Sequence, residues 1–397
     1  MSELITGIGE LLTNDPERPV IADAALVIEG ETIAWVGEAR EAPDADRRTM
    51  LQGRAVLPGW VDSHTHLVFA GDRSAEFAAR MAGESYSAGG IGVTTEATRA
   101  ASDDTLAALL GDRVREAVAG GTTYLETKTG YGLTVEEEAR AAKLAAKAVD
   151  EVTFLGAHLV PTGPDGDRVD ADEYVDLVCG RMLEAVAPYV QWADVFCEEG
   201  AFTPEQSRRV LEACQAAGLG LRVHGNQLGH SGGVALAVEM GAASVDHVNF
   251  LSDEDVEALA SSEVVATVLP ACDLSTRAPL APARRLLDAG ATVAIASNCN
   301  PGTSYTSSMN FCVGAAVLQM GLSIVEAVRA ATWGGARALR RETARDGAPA
   351  IGAIAPGTRA DLHVLDAPAA IHLAYRPGMP LTWAVWRAGR QVHAPVL

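Results

Sequence analysis

No apolar run in this 397-residue chain approaches the roughly 18 residues that a membrane-spanning helix needs. The opening residues, Met1-Ser2-Glu3-Leu4-Ile5-Thr6-Gly7, lack the basic and apolar regions of a secretory signal. Six cysteines, at 179, 197, 214, 272, 299 and 312, contain no Cys-x-x-Cys pair, which excludes a zinc ribbon and a disulfide framework and indicates a reducing compartment. Basic charge is also short. Against 52 Asp and Glu stand 31 Lys and Arg, a net charge of −21, and a chain so acidic repels nucleic-acid backbones and anionic membrane surfaces. With 48% hydrophobic and 21% charged residues the chain is globular, and its length predicts one large domain plus a smaller one. These absences together predict a soluble cytoplasmic protein of enzyme size.

The two ends read alike. Ala24–Ile28 and Thr32–Val36 flank a Glu29-Gly30 turn, a hairpin signal, and Asp361–Leu365 and Trp383–Arg387 precede an Ala388-Gly389-Arg390 turn. Residues 1–57 and 352–397 are therefore expected to build one small composite β-sandwich domain. Between them, residues 58–351 alternate. Apolar, β-branched runs at Ala55–Val61, Thr122–Glu126, Val152–Gly156, Asp194–Cys197, Gly220–Val223, Ala243–Val245, Val264–Leu269 and Thr292–Ala296 are separated by helical stretches. The helices carry start signals, among them Ser102-Asp103-Asp104, Thr134 and Thr203-Pro204-Glu205, and several stop at glycine. Eight strands alternating with helices predict a (β/α)8 TIM barrel. No Gly-x-Gly-x-x-Gly or Walker-type loop follows a strand, which removes the common ligands of the competing doubly wound sheet.

In such a barrel chemistry collects at the C-terminal ends of the strands. Those ends here read Asp62-Ser63-His64-Thr65-His66, Lys128-Thr129-Gly130-Tyr131-Gly132, His158, Glu198-Glu199, His224 with Gln227, Asp246-His247, and Asn298-Cys299-Asn300, so five of the nine histidines sit there. His64 and His66, two apart on an extended segment, face the same way, and with His224 from another strand they compose a three-nitrogen site for one divalent or trivalent ion. Lys128 reads as a packing or hydrogen-bonding group, Glu198 and Glu199 as structural or rim carboxylates, and Cys299 as barrel packing.

Leu57-Pro58-Gly59-Trp60-Val61-Asp62-Ser63-His64-Thr65-His66 and Pro356-Gly357-Thr358-Arg359-Ala360-Asp361-Leu362 resemble the opening and the returning β segment of the amidohydrolase superfamily. More narrowly, His66-Leu67-Val68-Phe69-Ala70-Gly71-Asp72-Arg73, Lys128-Thr129-Gly130-Tyr131-Gly132, Gly156-Ala157-His158 and Asn300-Pro301-Gly302-Thr303 resemble the imidazolonepropionase family of histidine degradation. That resemblance implies one zinc or iron ion held by His64, His66, His224 and an aspartate after the eighth strand. It implies substrate contacts from Arg73, Tyr131, His158, Gln227, Asn300, Gly302 and Thr303, and help from His247 for the attacking water. The implied reaction opens 4-imidazolone-5-propanoate to N-formimino-L-glutamate. Arg73 is the local cation that the substrate's carboxylate requires in so acidic a chain. A homodimer through the exposed terminal β domain stays open.

At one position the chain departs from that family. Asn298 stands where the metal-binding aspartate is expected. Asparagine offers a neutral oxygen but cannot hold the proton of an attacking water, and loss of such a base typically costs about 10²–10⁴ in rate. Reduced activity is therefore expected, from a one-residue inactivation or from natural divergence, and the intact substrate motifs favour the first. Gln227, at a position that varies between glutamate and glutamine, argues against an aminopurine-type deaminase. The remaining alternatives are another cyclic amidase of the superfamily and a barrel that binds an imidazole-like ligand without converting it.

Overall fold

The computed structural model describes residues 2–83, 90–162 and 169–394. From the N-terminus run β1 (Ser2–Leu12), β2 (Val20–Glu29), β3 (Thr32–Glu38) and β4 (Arg47–Pro58). Then come β5 (Trp60–Asp62), β6 (Thr122–Lys128), β7 (Glu151–Ala157), β8 (Trp192–Cys197), β9 (Gly220–Gly225), β10 (Ser244–His247), β11 (Val265–Val268) and β12 (Val293–Ile295). The chain returns through β13 (Leu362–Leu365), β14 (Thr382–Arg387) and β15 (Arg390–His393).

Strands β5 to β12 form one eight-stranded sheet in consecutive order, every pair parallel, as the alternation predicts. It is a nearly closed barrel. Across the seam between β5 and β12 the Ser297 backbone N–H and hydroxyl both bond to the Asp62 carboxylate. Asn298 N donates to His64 O at 2.9 Å and His66 N to Cys299 O at 2.9 Å, so the seam itself sets Asn298 beside the histidine pair. The helices start where the capping signals lie. Ser102, Thr134 and Thr203 each accept a backbone N–H in the first turn of Asp103–Ala119, Val135–Ala145 and Pro204–Ala216, and Thr203 with Gln206 completes a capping box. Apolar faces of helices and strands merge into one large core that includes Leu110, Phe154, Met182, Val223, Leu259 and Val313.

The terminal segments form a seven-stranded sheet of order β15-β14-β13-β4-β1-β2-β3, mixed because β1 runs parallel to β4. Where a sandwich is expected, the terminal strands form this one mixed sheet with a shared apolar cluster. Ala360 bridges its β2–β3 and β14–β15 turns, donating N–H to Glu31 O and accepting from Gly389 N, beside an apolar cluster that includes Ile5, Ile28, Val56, Leu362 and Trp386. The hairpin at Glu29-Gly30 is present, whereas β1 and most of β4 were not foreseen. In β1 the register slips between Ile5 and Ile8 across Gly7, which breaks the alternation that marks a strand. The run expected over Ala55–Val61 is two strands. It divides at Gly59, where a Cβ would lie 2.2 Å from the Thr123 hydroxyl, and there the chain passes from the terminal sheet into the barrel.

Candidate active site

His64 and His66 follow directly on β5, and His224 lies near the end of β9. Each offers one nitrogen to a cluster whose atoms all lie within 4.8 Å of one another. His64 Nδ1 is 2.7 Å from Asp246 Oδ2 and His224 Nδ1 is 3.0 Å from Asp194 Oδ2. A carboxylate accepts, so those Nδ1 atoms carry the protons and the Nε2 atoms carry lone pairs. The Nε2 atoms of His64 and His224 approach His66 Nε2 to 3.3 and 3.4 Å. His66 Nε2 has at most one proton to give, so one of these contacts sets lone pair against lone pair unless a cation lies between them. Burial, then neighbouring positive charge, drives the His64 imidazole down to about 3, and burial with the adjacent histidines holds His66 far below its ordinary value. Neutral imidazoles aimed at one point are the state that a metal requires, and the donor set fits a single zinc or iron ion.

Around this floor lies a narrow pocket of about 30 Å³, lined by His66, Arg73, Ile91, Tyr131, His158, Phe196, His224, Gln227, His247, Asn298, Asn300 and Thr303. The fold thus gathers every expected site residue except His64, which sits directly behind, and Gly302, which abuts Arg73. A groove of about 920 Å³ lined by Tyr305, Phe311, Leu318 and Met379 is larger but includes none of the clustered histidines.

Two lining residues, His247 at 84° and Asn298 at 52°, adopt positive φ, as do Gly130 at 113°, Asn226 at 55° and Val248 at 50°, each next in sequence to a lining residue. For β-branched Val248 this is a costly conformation, and such strain concentrates at functional sites. For Asn298 it is a favoured one. The Asn298 Oδ1 atom is buried without a hydrogen bond, as an oxygen reserved for a ligand would be. His158 donates Nδ1–H to Gly130 O at 2.9 Å, stacks on His66 with centroids 5.7 Å apart, and keeps Nε2 as an acceptor. His247 lies 5.4 Å from the His224 ring, its imidazole also driven far down by burial and by His224 and His64.

Arg73 is buried, with Nε and Nη2 each 2.8 Å from the Glu76 carboxylate, and Arg80 bonds both Glu76 and Gly302 O. Asn300 spends its whole amide inside its own loop. It donates to Asn298 O and Thr303 Oγ1 and accepts from Gly302 N and Thr303 N, so its side chain shapes the wall. Glu198 accepts the Gln227 backbone N–H and holds that loop in place.

Sequence reasoning passed over Asp194 and Asp246 as partners of the histidines, and over the link from Glu76 to Arg73. A signal existed for the first pair. Both are charged residues inside otherwise apolar strands, Trp192-Ala193-Asp194-Val195-Phe196 and Ser244-Val245-Asp246, where burial demands a partner.

The Amidohydrolase family profile matches residues 55–392. An imidazolonepropionase of Paenarthrobacter aurescens is 67% identical over 406 residues, covering 98% of this chain and 98% of its own length. The chain belongs to the imidazolonepropionase family. Another member, from Arthrobacter sp. strain FB24, is 68% identical over 401 residues, covering 98% of this chain and 99% of its own, and one from Streptomyces griseus is 55% identical over 394 residues, covering 98% of each. Among solved structures, a mutant atrazine chlorohydrolase of Arthrobacter aurescens complexed with zinc and atraton superposes with a TM-score of 0.75 at 19% identity, covering 99% of this chain and 95% of that one. A zinc-bound adenosine deaminase of Xanthomonas campestris gives 0.71 at 19%, covering 99% and 93%. At such identities these two speak for the fold that the family shares. No helix among the described residues is long and apolar enough to cross a membrane.

Proposed function

We propose that this chain hydrolyses 4-imidazolone-5-propanoate to N-formimino-L-glutamate, as a cytoplasmic step of histidine degradation. The observation that carries the reading is the convergence of His64, His66 and His224 through Nε2 in a pocket whose wall also holds Arg73. The names of relatives that share two thirds of its residues support the same substrate.

His64, His66 and His224 would hold a zinc or iron ion, with Asn298 Oδ1 as a neutral fourth ligand. Such an ion, when bound, supplies water acidic enough to attack a cyclic amide near neutral pH. Arg73, with Nε and Nη2 engaged by Glu76, keeps Nη1 for the propanoate carboxylate. The ring lies against His66, Tyr131 and His158, and His158 Nε2 accepts a ring N–H. Gln227 orients the ring, while Gly302 and Thr303 close the wall that Asn300 shapes. His247 takes the proton of the attacking water as the C–O bond forms and passes it to the ring nitrogen as the C–N bond breaks.

Asn298 cannot share that proton traffic, and we infer that it slows turnover relative to aspartate. The same residue favours a second reading, a barrel that binds the substrate without opening it. Metal analysis of the purified chain, together with turnover of imidazolonepropanoate by the chain and by Asn298→Asp, tests both. Bound metal with turnover supports the hydrolase. Binding without turnover in either form supports the second reading, and a chain that takes up neither zinc nor iron refutes the metal assignment.

A further inference from the structure

Behind the histidines, on the Nδ1 side of His64 and His224, the barrel interior holds ions where barrels of this kind usually carry Val, Ile and Leu. Lys128, at the end of β6, is fully buried, with Nζ 3.0 Å from Glu126 Oε1, 3.0 Å from Asp194 Oδ2 and 3.9 Å from Asp246 Oδ2. Arg222 on β9 reaches Asp246 Oδ2 at 3.2 Å and Ser63 O at 2.7 Å. These three carboxylates and two cations, all fully buried, leave one net negative charge beneath the imidazoles.

We propose that Lys128 is a positioning residue of the metal centre: its ammonium holds Asp194 and Asp246 in place behind His224 and His64, so that both imidazoles point Nε2 at the ion site before an ion arrives. The inference rests on the metal reading above. Desolvating five charges is expensive, and an apolar layer of the same volume would serve the fold as well or better, so the ions answer a requirement other than stability. That requirement is visible in the contacts. On Asp194 and on Asp246 one oxygen, Oδ2, meets both a histidine Nδ1 and a buried cation, so the cation fixes the very atom that the imidazole faces. Of these two aspartates, Arg222 contacts only Asp246. Lys128 is the cation against Asp194, and it lies within reach of both, where two like charges would otherwise repel. Glu126 completes the set without touching a histidine. Its oxygens take Lys128, Thr153 Oγ1 and the Thr65 backbone N–H.

The test separates aiming from balance of charge. In Lys128→Met, Zn²⁺ affinity, measured by competition with a colorimetric chelator on the full chain, should fall at least about tenfold. The double variant Lys128→Met/Glu126→Gln restores the buried net charge and should recover thermal stability. It should still bind Zn²⁺ at least about tenfold more weakly, because Asp194 has no cation. Native Zn²⁺ affinity in either variant overturns the proposal. Should both variants fail to fold, nitrogen NMR of the metal-free native chain decides. His64 and His224 are expected in the Nδ1–H tautomer, and either one found as Nε2–H shows that nothing pre-aims it. A native chain that binds no metal refutes the underlying reading instead.

Discussion

Replacing Gly302 by alanine isolates what Arg73 contributes. The backbone at Gly302 is not in the left-handed region, so a methyl group is tolerated there by the chain itself. Its Cβ would lie 2.3 Å from Arg73 Nη1 and 2.5 Å from Cζ, against the roughly 3.5 Å at which such atoms rest. The guanidinium must retreat by about 1 Å. It is not a free side-chain end, because two hydrogen bonds of 2.8 Å to Glu76 fix it, so the movement either breaks that pair or turns Nη1 out of the pocket. A charge-assisted hydrogen bond is worth roughly 1.5–3 kcal/mol, which predicts a rise in KM for imidazolonepropanoate of roughly 10- to 150-fold. The histidine cluster is untouched, so kcat should stay within about threefold, the pattern of lost ground-state binding. Steady-state kinetics that follow loss of the ring's ultraviolet absorbance read both constants, and Arg73→Ala should show the same split. An unchanged KM in Gly302→Ala would refute the placement of Arg73 on the substrate carboxylate.

Asn298→Asp should hydrolyse the substrate at least about a hundredfold faster than the native chain, and equal rates would show that His247 alone manages the proton. His66→Ala should abolish tight metal binding, and a chelator-stripped native chain should lose hydrolysis and regain it with zinc or iron; full activity in the stripped chain contradicts this. Asp273, whose carboxylate takes Asn249 Nδ2 and the Ala281 N–H, is pushed by burial from 3.8 to about 7. Its protonated form favours folding. That contribution is complete below pH 3.8 and is lost as pH rises through 7, by at most roughly 4 kcal/mol. The native unfolding midpoint should therefore fall more between pH 5 and 8 than that of Asp273→Asn, and parallel shifts would assign the titration elsewhere.

Much of this molecule was legible in the one-dimensional pattern. Barrel strands announce themselves because a strand buried on both faces reads as a mostly apolar, β-branched run, as in Val152–Gly156 and Val264–Leu269, and because capping residues such as Thr203 act within one turn of where they stand. Histidines at strand ends were visible for the same local reason. Tertiary structure alone decided what meets across long separations. It closed the seam through Asp62 and Ser297, laid β1 parallel to β4, set Glu76 against Arg73 and Arg73 against Gly302, and placed Lys128 between carboxylates from β6, β8 and β10. Backbone periodicity is a property of a few neighbouring residues. The partner of a buried charge is chosen by the three-dimensional packing that excludes water from it, and no short window of sequence contains that choice.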